Sequence, residues 1–164
     1  MDRQIATLFG LGRLRPAPGT WGSAAAVVVG VGLHRLGHFP LLAVATLLVT
    51  LAGFRSVRRL TAGQAVKDRP EIVIDEVSGQ WIALLFPSLG FFVMGLPRDL
   101  FPWPGWVAAF LFFRLFDIWK PWFVGRADRR TDADAVMWDD MLAGLLAGVA
   151  TMIAAGIAHG IIMR

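Results

Sequence analysis

The sequence contains no cysteine, and it is poor in charged residues for its length. The lack of cysteine excludes disulfide bridges, thiolate metal sites and a cysteine nucleophile. Charged residues make up 17% of the 164 residues, whereas a soluble domain has about 25%. Hydrophobic residues make up 56%, and the mean hydropathy is +0.60. We therefore expect a single domain, residues 1–164, for which lipid is part of the solvent.

The net charge of +4 is not concentrated in one basic patch. Basic residues lie in short clusters between apolar runs, which is typical of membrane topology and argues against nucleic-acid binding. Near the N-terminus, Arg13 and Arg15 follow the weak apolar stretch 5–11 before it becomes a long apolar run. We therefore expect no cleavable signal peptide.

Five apolar segments are predicted to be helices, and they predict an all-α fold, a compact polytopic helical membrane bundle. The segments are Trp21–Leu33, Phe39–Phe54, Gly79–Leu96, Gly105–Trp119 and Met141–Met163. Only the last clearly reaches the roughly 20 apolar residues that a bilayer core requires. The first is short and could pair with the second as a re-entrant helical hairpin, and Pro87 is expected to kink the third. A soluble helical bundle is the alternative.

Lysine and arginine alternate between the connections that separate these segments. From the N-terminal stretch to the tail, the connections carry 3, 1, 5, 1, 4 and 1 basic residues, with Lys67 in the third and Arg164 in the last. This alternation predicts five crossings, with the N-terminus in the cytoplasm and the C-terminus outside. It places His34, His38 and His159 on the outer side, where we expect interface residues rather than general bases.

Acidic residues border the apolar segments in three groups. Asp75 and Glu76 precede the third segment, Asp117 lies at the end of the fourth, and Asp139 and Asp140 precede the fifth. The predicted topology brings all three groups to the cytoplasmic interface. Carboxylates without His or Cys partners form an oxygen ligand set that suits Mg²⁺ or Mn²⁺ rather than Zn²⁺. The alternative is that these acids only solvate helix ends, where a helix N-terminus favours negative charge.

Two basic residues accompany the acids on the fourth segment. Arg114, Asp117 and Lys120 repeat at i, i+3 and i+6, so they roughly share one face of a helix. An arginine presents a planar fork to phosphate, and a lysine presents a point charge. The spacing leaves open whether Arg114 and Lys120 bind phosphate or whether Arg114 simply neutralises Asp117.

The segment PAPGTWGS, Pro16–Ser23, leads into the first apolar segment and overlaps its first three residues. Thr20 or Ser23 can cap the helix that follows, and the free amides of a helix N-terminus can bind an anion. The segment is therefore a candidate phosphate cradle, and an ordinary turn with an N-cap is the alternative. It lacks the GK[ST] element of a Walker loop.

Four blocks, in this order along the chain, resemble the phosphatidylglycerophosphatase A family. They are PAPGTWGS (Pro16–Ser23), IVIDEVSGQWIAL (Ile72–Leu84), FRLFDIWKPW (Phe113–Trp122) and DDMLAG (Asp139–Gly144). The resemblance implies Mg²⁺-dependent hydrolysis of phosphatidylglycerophosphate to phosphatidylglycerol and inorganic phosphate, in phospholipid biosynthesis. It also implies a multi-pass protein of the bacterial inner membrane with its active site facing the cytoplasm. The chain departs from the family at Phe123, where proline is frequent, and at residues 131–138, which replace a glycine-rich stretch.

The resemblance also implies roles for individual residues. Catalytic roles fall on Asp75, Glu76, Asp117, Asp139 and Asp140. Metal binding falls on Asp75, Glu76, Asp117 and Asp140. Phosphate contacts fall on Thr20, Ser23, Arg114 and Lys120. The attacking group is either water or a carboxylate that forms a covalent intermediate.

Two other functions stay open on the sequence. A phospholipid synthase of the CDP-alcohol type also uses clustered acids and magnesium, but its long DG…AR…G…D…D pattern is missing here. A non-catalytic membrane subunit or small transporter would release no phosphate from any lipid. The expected partners are the phospholipid substrate and the membrane, without nucleic acid, and the sequence does not indicate an oligomeric state.

Overall fold

A computed structural model describes residues 1–64, 69–130 and 132–162, and within these ranges the chain is helical without any strand. The helices are α1 (Asp2–Ala6), a 3-10 segment (Leu8–Arg13), α2 (Pro18–Leu60), α3 (Ile74–Val93), α4 (Trp103–Trp119), α5 (Trp122–Asp128) and α6 (Ala135–Ile162). The all-α prediction is confirmed. Four residues used in the sequence analysis lie outside the described ranges: Lys67, Thr131, Met163 and Arg164.

The longest helix, α2, consists of two arms, residues 18–36 and 39–60, joined by a break. Gly37 and His38 leave helical geometry, and His38 has a φ of 58°. Pro40 follows the break, and its missing N–H cannot complete a hydrogen bond back across it. The break separates the first two predicted segments at the expected place.

The two arms run along α3 in opposite directions. In the first arm, Trp81 Nε1 donates a hydrogen bond of 2.7 Å to the carbonyl of Ala26, and further along His34 Nδ1 lies 2.8 Å from Ser88 Oγ. In the second arm, Thr50 Oγ1 lies 2.5 Å from Ser78 Oγ. The first two predicted segments therefore form a helical hairpin that packs against α3.

Five apolar helical segments make up the bundle: the two arms of α2, and α3, α4 and α6. Three helices, α2, α3 and α6, are long and apolar enough to cross a membrane. Helix α3 continues through Pro87 without interruption, so the expected kink does not divide it. Helix α4 is shorter, at 17 residues or about 26 Å.

The outer surface of the bundle is apolar, and part of its interior is polar. Leu47, Leu48 and Leu51 on the second arm of α2 are each more than half exposed. Conversely, the side chains of Thr50 and Ser78 are buried and hydrogen-bonded to each other. This distribution is typical of helices that pack through small and polar residues within lipid. Together with the three long apolar helices, it identifies a membrane protein.

His34 and His38 both lie at the end of the bundle that contains the α2 break, but their surroundings differ. His38 is half-buried there, and its Nε2 lies 3.0 Å from the carbonyl of Leu96. His34 lies at the same end but is fully buried, and its ring stacks on Phe101 at a centroid distance of 4.3 Å. His34 is therefore a packing residue between helices rather than an exposed one.

Helices α3 and α6 run parallel and approach each other closely at two glycines. A Cβ added to Gly144 would lie 3.0 Å from the Cα of Gly79 and closer still to its carbonyl oxygen. A Cβ added to Gly79 would overlap the carbonyl oxygen of Asp140 and the ring of Phe113. Only glycine at both positions permits this separation of the two backbones, and Asp140 lies on the α6 turn that this contact fixes.

We expect Gly144→Ala to lower the melting temperature of the purified protein in detergent, with a loss of about 1–3 kcal/mol from overpacking. The matched control is Gly156→Ala in the same helix, where an added Cβ meets nothing within 4 Å. It should leave the melting temperature unchanged or raise it slightly, because alanine favours the helix. Equal melting temperatures for the two variants would show that the close approach does not stabilise the bundle.

Candidate active site

The acids predicted from the sequence line one cavity of about 360 Å³ at the end of the bundle opposite the α2 break. Helices α2, α3 and α6 begin at this end, and α4 ends there. Five acids line the cavity: Asp75, Glu76, Asp117, Asp139 and Asp140. Four polar or basic residues line it with them: Thr20, Arg69, Arg114 and Lys120. Residues far apart in sequence therefore meet in one place.

Three of these carboxylates form a tight group. Oxygen atoms of Asp75, Glu76 and Asp140 all lie within 4.8 Å of one another. Asp75 and Glu76 are in the first turn of α3, and the backbone N–H of Glu76 donates to Asp75 Oδ1 at 2.9 Å. Asp75 and Asp140 are buried, with 7% and 4% of their surface exposed. Carboxylates packed this closely and away from water repel each other unless protons or a cation compensate their charge.

This donor set fits a hard divalent cation. Its atoms are all carboxylate oxygens, and no histidine lines the cavity among the described residues. Oxygen ligands of this kind suit Mg²⁺ or Mn²⁺ rather than Zn²⁺. Asp75, Glu76 and Asp140 are therefore the residues that could hold a metal, and Asp117 lies outside this group of three.

Glu76 is held in place by residues of two neighbouring helices. Arg114 Nη1 on α4 donates to Glu76 Oε2 at 3.2 Å, and Ser23 Oγ on α2 donates to the same oxygen at 3.3 Å. The Glu76 carboxylate packs against Gly19, where any added Cβ would overlap it. A glycine at position 19 therefore permits the approach of α2 to the acidic group.

Arg114 links two of the acid groups found in the sequence. Its Nη1 also lies 2.7 Å from Asp117 Oδ2, three residues further along α4. Because the side chains of Arg114, Glu76 and Asp117 are each at least 85% buried, these contacts are poorly screened by water. Arg114 therefore pairs with Asp117, as one reading of the spacing predicts, and it also lines the cavity.

Lys120 anchors the acid next to the tight group. Helix α4 ends with Lys120 in the left-handed conformation, at a φ of 49°, and Pro121 prevents the helix from continuing because it has no N–H and its ring clashes with the preceding turn. The Lys120 ammonium donates to Asp139 Oδ2 at 2.8 Å and also pairs with Asp128 on α5. Burial opposes the charge on Lys120, but the two carboxylates outweigh burial and raise the pKa of the ammonium above its usual range. Lys120 is therefore a cation at neutral pH.

The two carboxylate oxygens of Asp139 differ in their hydrogen bonding. Its Oδ2 accepts the hydrogen bond from Lys120, whereas Oδ1 is buried and accepts none from any residue that the structure describes. A buried carboxylate oxygen without a donor is costly, and the described residues supply no such donor for Asp139 Oδ1.

The capping role expected of Thr20 or Ser23 in the PAPGTWGS segment is corrected. Helix α2 begins at Pro18 without any side-chain cap, so Thr20 and Ser23 lie inside the helix instead of capping it. Ser23 is fully buried, and its hydroxyl contacts the Gly19 carbonyl, Glu76 and Arg114 rather than lining the cavity. Thr20 does line the cavity, at the start of α2, where backbone amides are not yet used by the helix.

The sequence analysis missed three contributors to the site. Arg69 lines the cavity from the connection before α3, and Asp128 is the second partner of Lys120. Gly79 fixes the distance between α3 and α6. A signal for the helix contact exists in the sequence, because Gly144 and Gly148 form the GxxxG spacing typical of close helix pairs in membranes. Nothing in the sequence pattern singles out Arg69 or Asp128.

Comparisons with known proteins point to one family. The family model for phosphatidylglycerophosphatase A matches residues 4–155. The phosphatidylglycerophosphatase A of Haemophilus influenzae is 37% identical over 145 residues, which cover 87% of this chain and 82% of that protein. The Escherichia coli phosphatidylglycerophosphatase A is 32% identical over 143 residues, covering 87% and 76%.

A third relative carries a different name. The putative phosphatidylinositol-3-phosphatase of Bacteroides thetaiotaomicron is 35% identical over 146 residues, covering 86% of this chain and 85% of that protein. No solved structure matches the chain. The family match spans nearly the whole bundle and contains all four sequence blocks, so the resemblance seen in the sequence is confirmed. The chain belongs to the phosphatidylglycerophosphatase A family.

Proposed function

We propose that this protein is a Mg²⁺-dependent lipid phosphatase that hydrolyses phosphatidylglycerophosphate to phosphatidylglycerol and inorganic phosphate in phospholipid biosynthesis. The observation that carries the proposal is the group formed by Asp75, Glu76 and Asp140, whose oxygens lie within 4.8 Å of one another at the end of an apolar bundle. Family membership supports the reaction, and the oxygen-only donor set supports magnesium.

In this proposal the three carboxylates hold the cation. When bound, the cation neutralises charge that develops on the phosphate during the reaction. Arg114 and Lys120 lie on the same cavity and orient the phosphoryl oxygens, while their ion pairs keep Glu76 and Asp139 in fixed positions. Ser23 acts indirectly, by holding Glu76 and Arg114.

The starts of three helices add to this electrostatic environment. Helices α2, α3 and α6 all begin beside the cavity, so the positive ends of their dipoles point toward it. Thr20 in the first turn of α2 lines the cavity, and the unused amides of that turn are suitable donors to a phosphate. The cavity therefore combines acids that would hold a cation with donors that would bind a phosphate.

We place the cavity at the cytoplasmic headgroup level of the bacterial inner membrane. Most of the described basic residues lie at the cavity end, whereas Arg35 and Arg98 lie near the α2 break at the other end. The positive-inside rule assigns the more basic end to the cytoplasm. A substrate that remains in the bilayer can then present its terminal phosphate to the cavity.

The first prediction concerns the metal group. Purified wild-type protein should release phosphate from phosphatidylglycerophosphate only when Mg²⁺ is present. Asp140→Asn should lower kcat by about a hundredfold or more, because a lost ligand removes several kcal/mol of transition-state stabilisation. The control is Asp99→Asn, which removes an exposed acid at the opposite end and should keep full activity. Wild-type turnover that persists in excess chelator would contradict the role of the cation.

The head group of the substrate is a second point to test. The name of the Bacteroides relative favours phosphatidylinositol 3-phosphate as a second candidate. Phosphate release from both lipids should be compared at matched lipid content, and we expect a higher kcat/KM for phosphatidylglycerophosphate. The reverse order would replace the substrate while keeping the reaction. Nucleotide release from a CDP-lipid would instead indicate a synthase, and inactivity on every lipid a non-catalytic subunit.

A third prediction tests the placement of Glu76. Gly19→Ala adds a methyl group where the Glu76 carboxylate lies, so the carboxylate must leave its present position beside Asp75 and Asp140. We expect the Mg²⁺ concentration for half-maximal activity to rise by about tenfold, which is typical when support for a ligand is lost. Gly105→Ala, where an added Cβ meets nothing within 4 Å, is the control. An unchanged Mg²⁺ dependence would remove Glu76 from the cation site.

A further inference from the structure

A second cavity, of about 630 Å³, adjoins the acidic cavity and carries the opposite charge. Three arginines and one glutamate line it: Arg13, Arg15, Arg69 and Glu71. Three residues belong to both cavities: Pro18, Arg69 and Pro70. We name this second cavity the arginine groove. The reaction proposed above gives no role to Arg13 or Arg15, although both lie beside the acidic cavity.

The two walls of the arginine groove are fixed to each other by backbone packing. Gly12, directly before the first arginine, is buried, and a Cβ added there would overlap the carbonyl of Glu71 in the opposite wall. The N–H of Val73 donates to the carbonyl of Ala6 at 2.9 Å, which ties the same two stretches together. These contacts hold the two walls of the groove in place, including the backbone next to Arg13.

The charge of the groove is largely uncompensated. Arg13 and Arg15 form no ion pair with any residue in the described ranges, and both are exposed. The one carboxylate, Glu71, already interacts with Arg3 at 3.5 Å and with Arg69 at 3.6 Å. An arginine fork binds phosphate oxygens more strongly than a neutral donor does. The groove is therefore suited to an anion with several oxygens.

We infer that the arginine groove binds the phosphodiester of the same lipid whose terminal phosphomonoester occupies the acidic cavity. The inference rests on the proposed function. Both candidate substrates carry a phosphodiester next to the glycerol backbone and a phosphomonoester further out, separated only by the carbons of the head-group alcohol. The two adjoining cavities share a wall. The acidic cavity, with a cation and its phosphate donors, would take the phosphomonoester, and the arginine groove would take the phosphodiester. Arg13 and Arg15 would then determine specificity for lipids with both groups.

The test uses the double variant Arg13→Gln/Arg15→Gln in neutral detergent micelles. We expect the KM for the better lipid substrate to rise by about tenfold with little change in kcat, as for contacts made equally in substrate and transition state. Phosphatidylglycerol, which has only the phosphodiester, should lose potency as an inhibitor by a similar factor. Inorganic phosphate, which has no phosphodiester, should inhibit the variant as strongly as it inhibits the wild type. The control is Arg55→Gln/Arg126→Gln, which removes two exposed arginines outside both cavities and should change nothing.

Other outcomes overturn the inference. If the control pair raises KM as much, the arginines only attract the anionic lipid surface. If inhibition by inorganic phosphate weakens equally, the groove is not a separate subsite. Should wild-type protein release phosphate from neither lipid, the proposed function fails, and quenching of tryptophan fluorescence by brominated phosphatidylglycerol tests separately whether the groove binds a phosphodiester. Equal quenching in wild type and Arg13→Gln/Arg15→Gln would then show that the groove binds no phosphodiester.

Discussion

The contact between Gly79 and Gly144 is the constraint on which the acidic cavity depends. It sets the separation of α3 and α6, and these two helices carry Asp75, Glu76 and Asp140. Three carboxylates at such short range oppose the approach electrostatically, so packing elsewhere must hold the helices together. The GxxxG spacing continues this contact along α6, where Gly148 meets the ring of Phe86 on α3. Backbone packing thus stabilises a charge arrangement that is unfavourable on its own.

The outer acids of the cavity are stabilised in a different way. Asp117 is paired with Arg114, and Asp139 is paired with Lys120, whereas in the three-carboxylate group Arg114 pairs with Glu76. The cavity therefore has a negative centre with basic residues around it. Such an arrangement can hold a cation at the centre and an anion at the edge, which is the charge pattern that a bound metal and a phosphate require.

The sequence predicted the fold class, the five apolar segments and the gathering of the acids at one end, because hydropathy and the Lys/Arg alternation carry that information. It did not predict that α2 starts at Pro18 and includes Thr20, because local propensity does not locate helix ends precisely where no cap is present. It also could not tell which acids approach each other. Which acids approach each other depends on how closely α3 and α6 pack, which is a tertiary property. The glycines that permit the close packing are nevertheless visible in the sequence.

The apolar outer surface has a consequence for how the enzyme meets its substrate. Because exposed leucines such as Leu47 and Leu51 cover the bundle while the cavity lies only at one end, enzyme and lipid share the same two-dimensional solvent. Encounters then occur by lateral diffusion, and the relevant concentration is the fraction of substrate among the surrounding lipids rather than its amount per volume. A cell could therefore change the flux through this step by altering bilayer composition, with no change in the number of enzyme molecules.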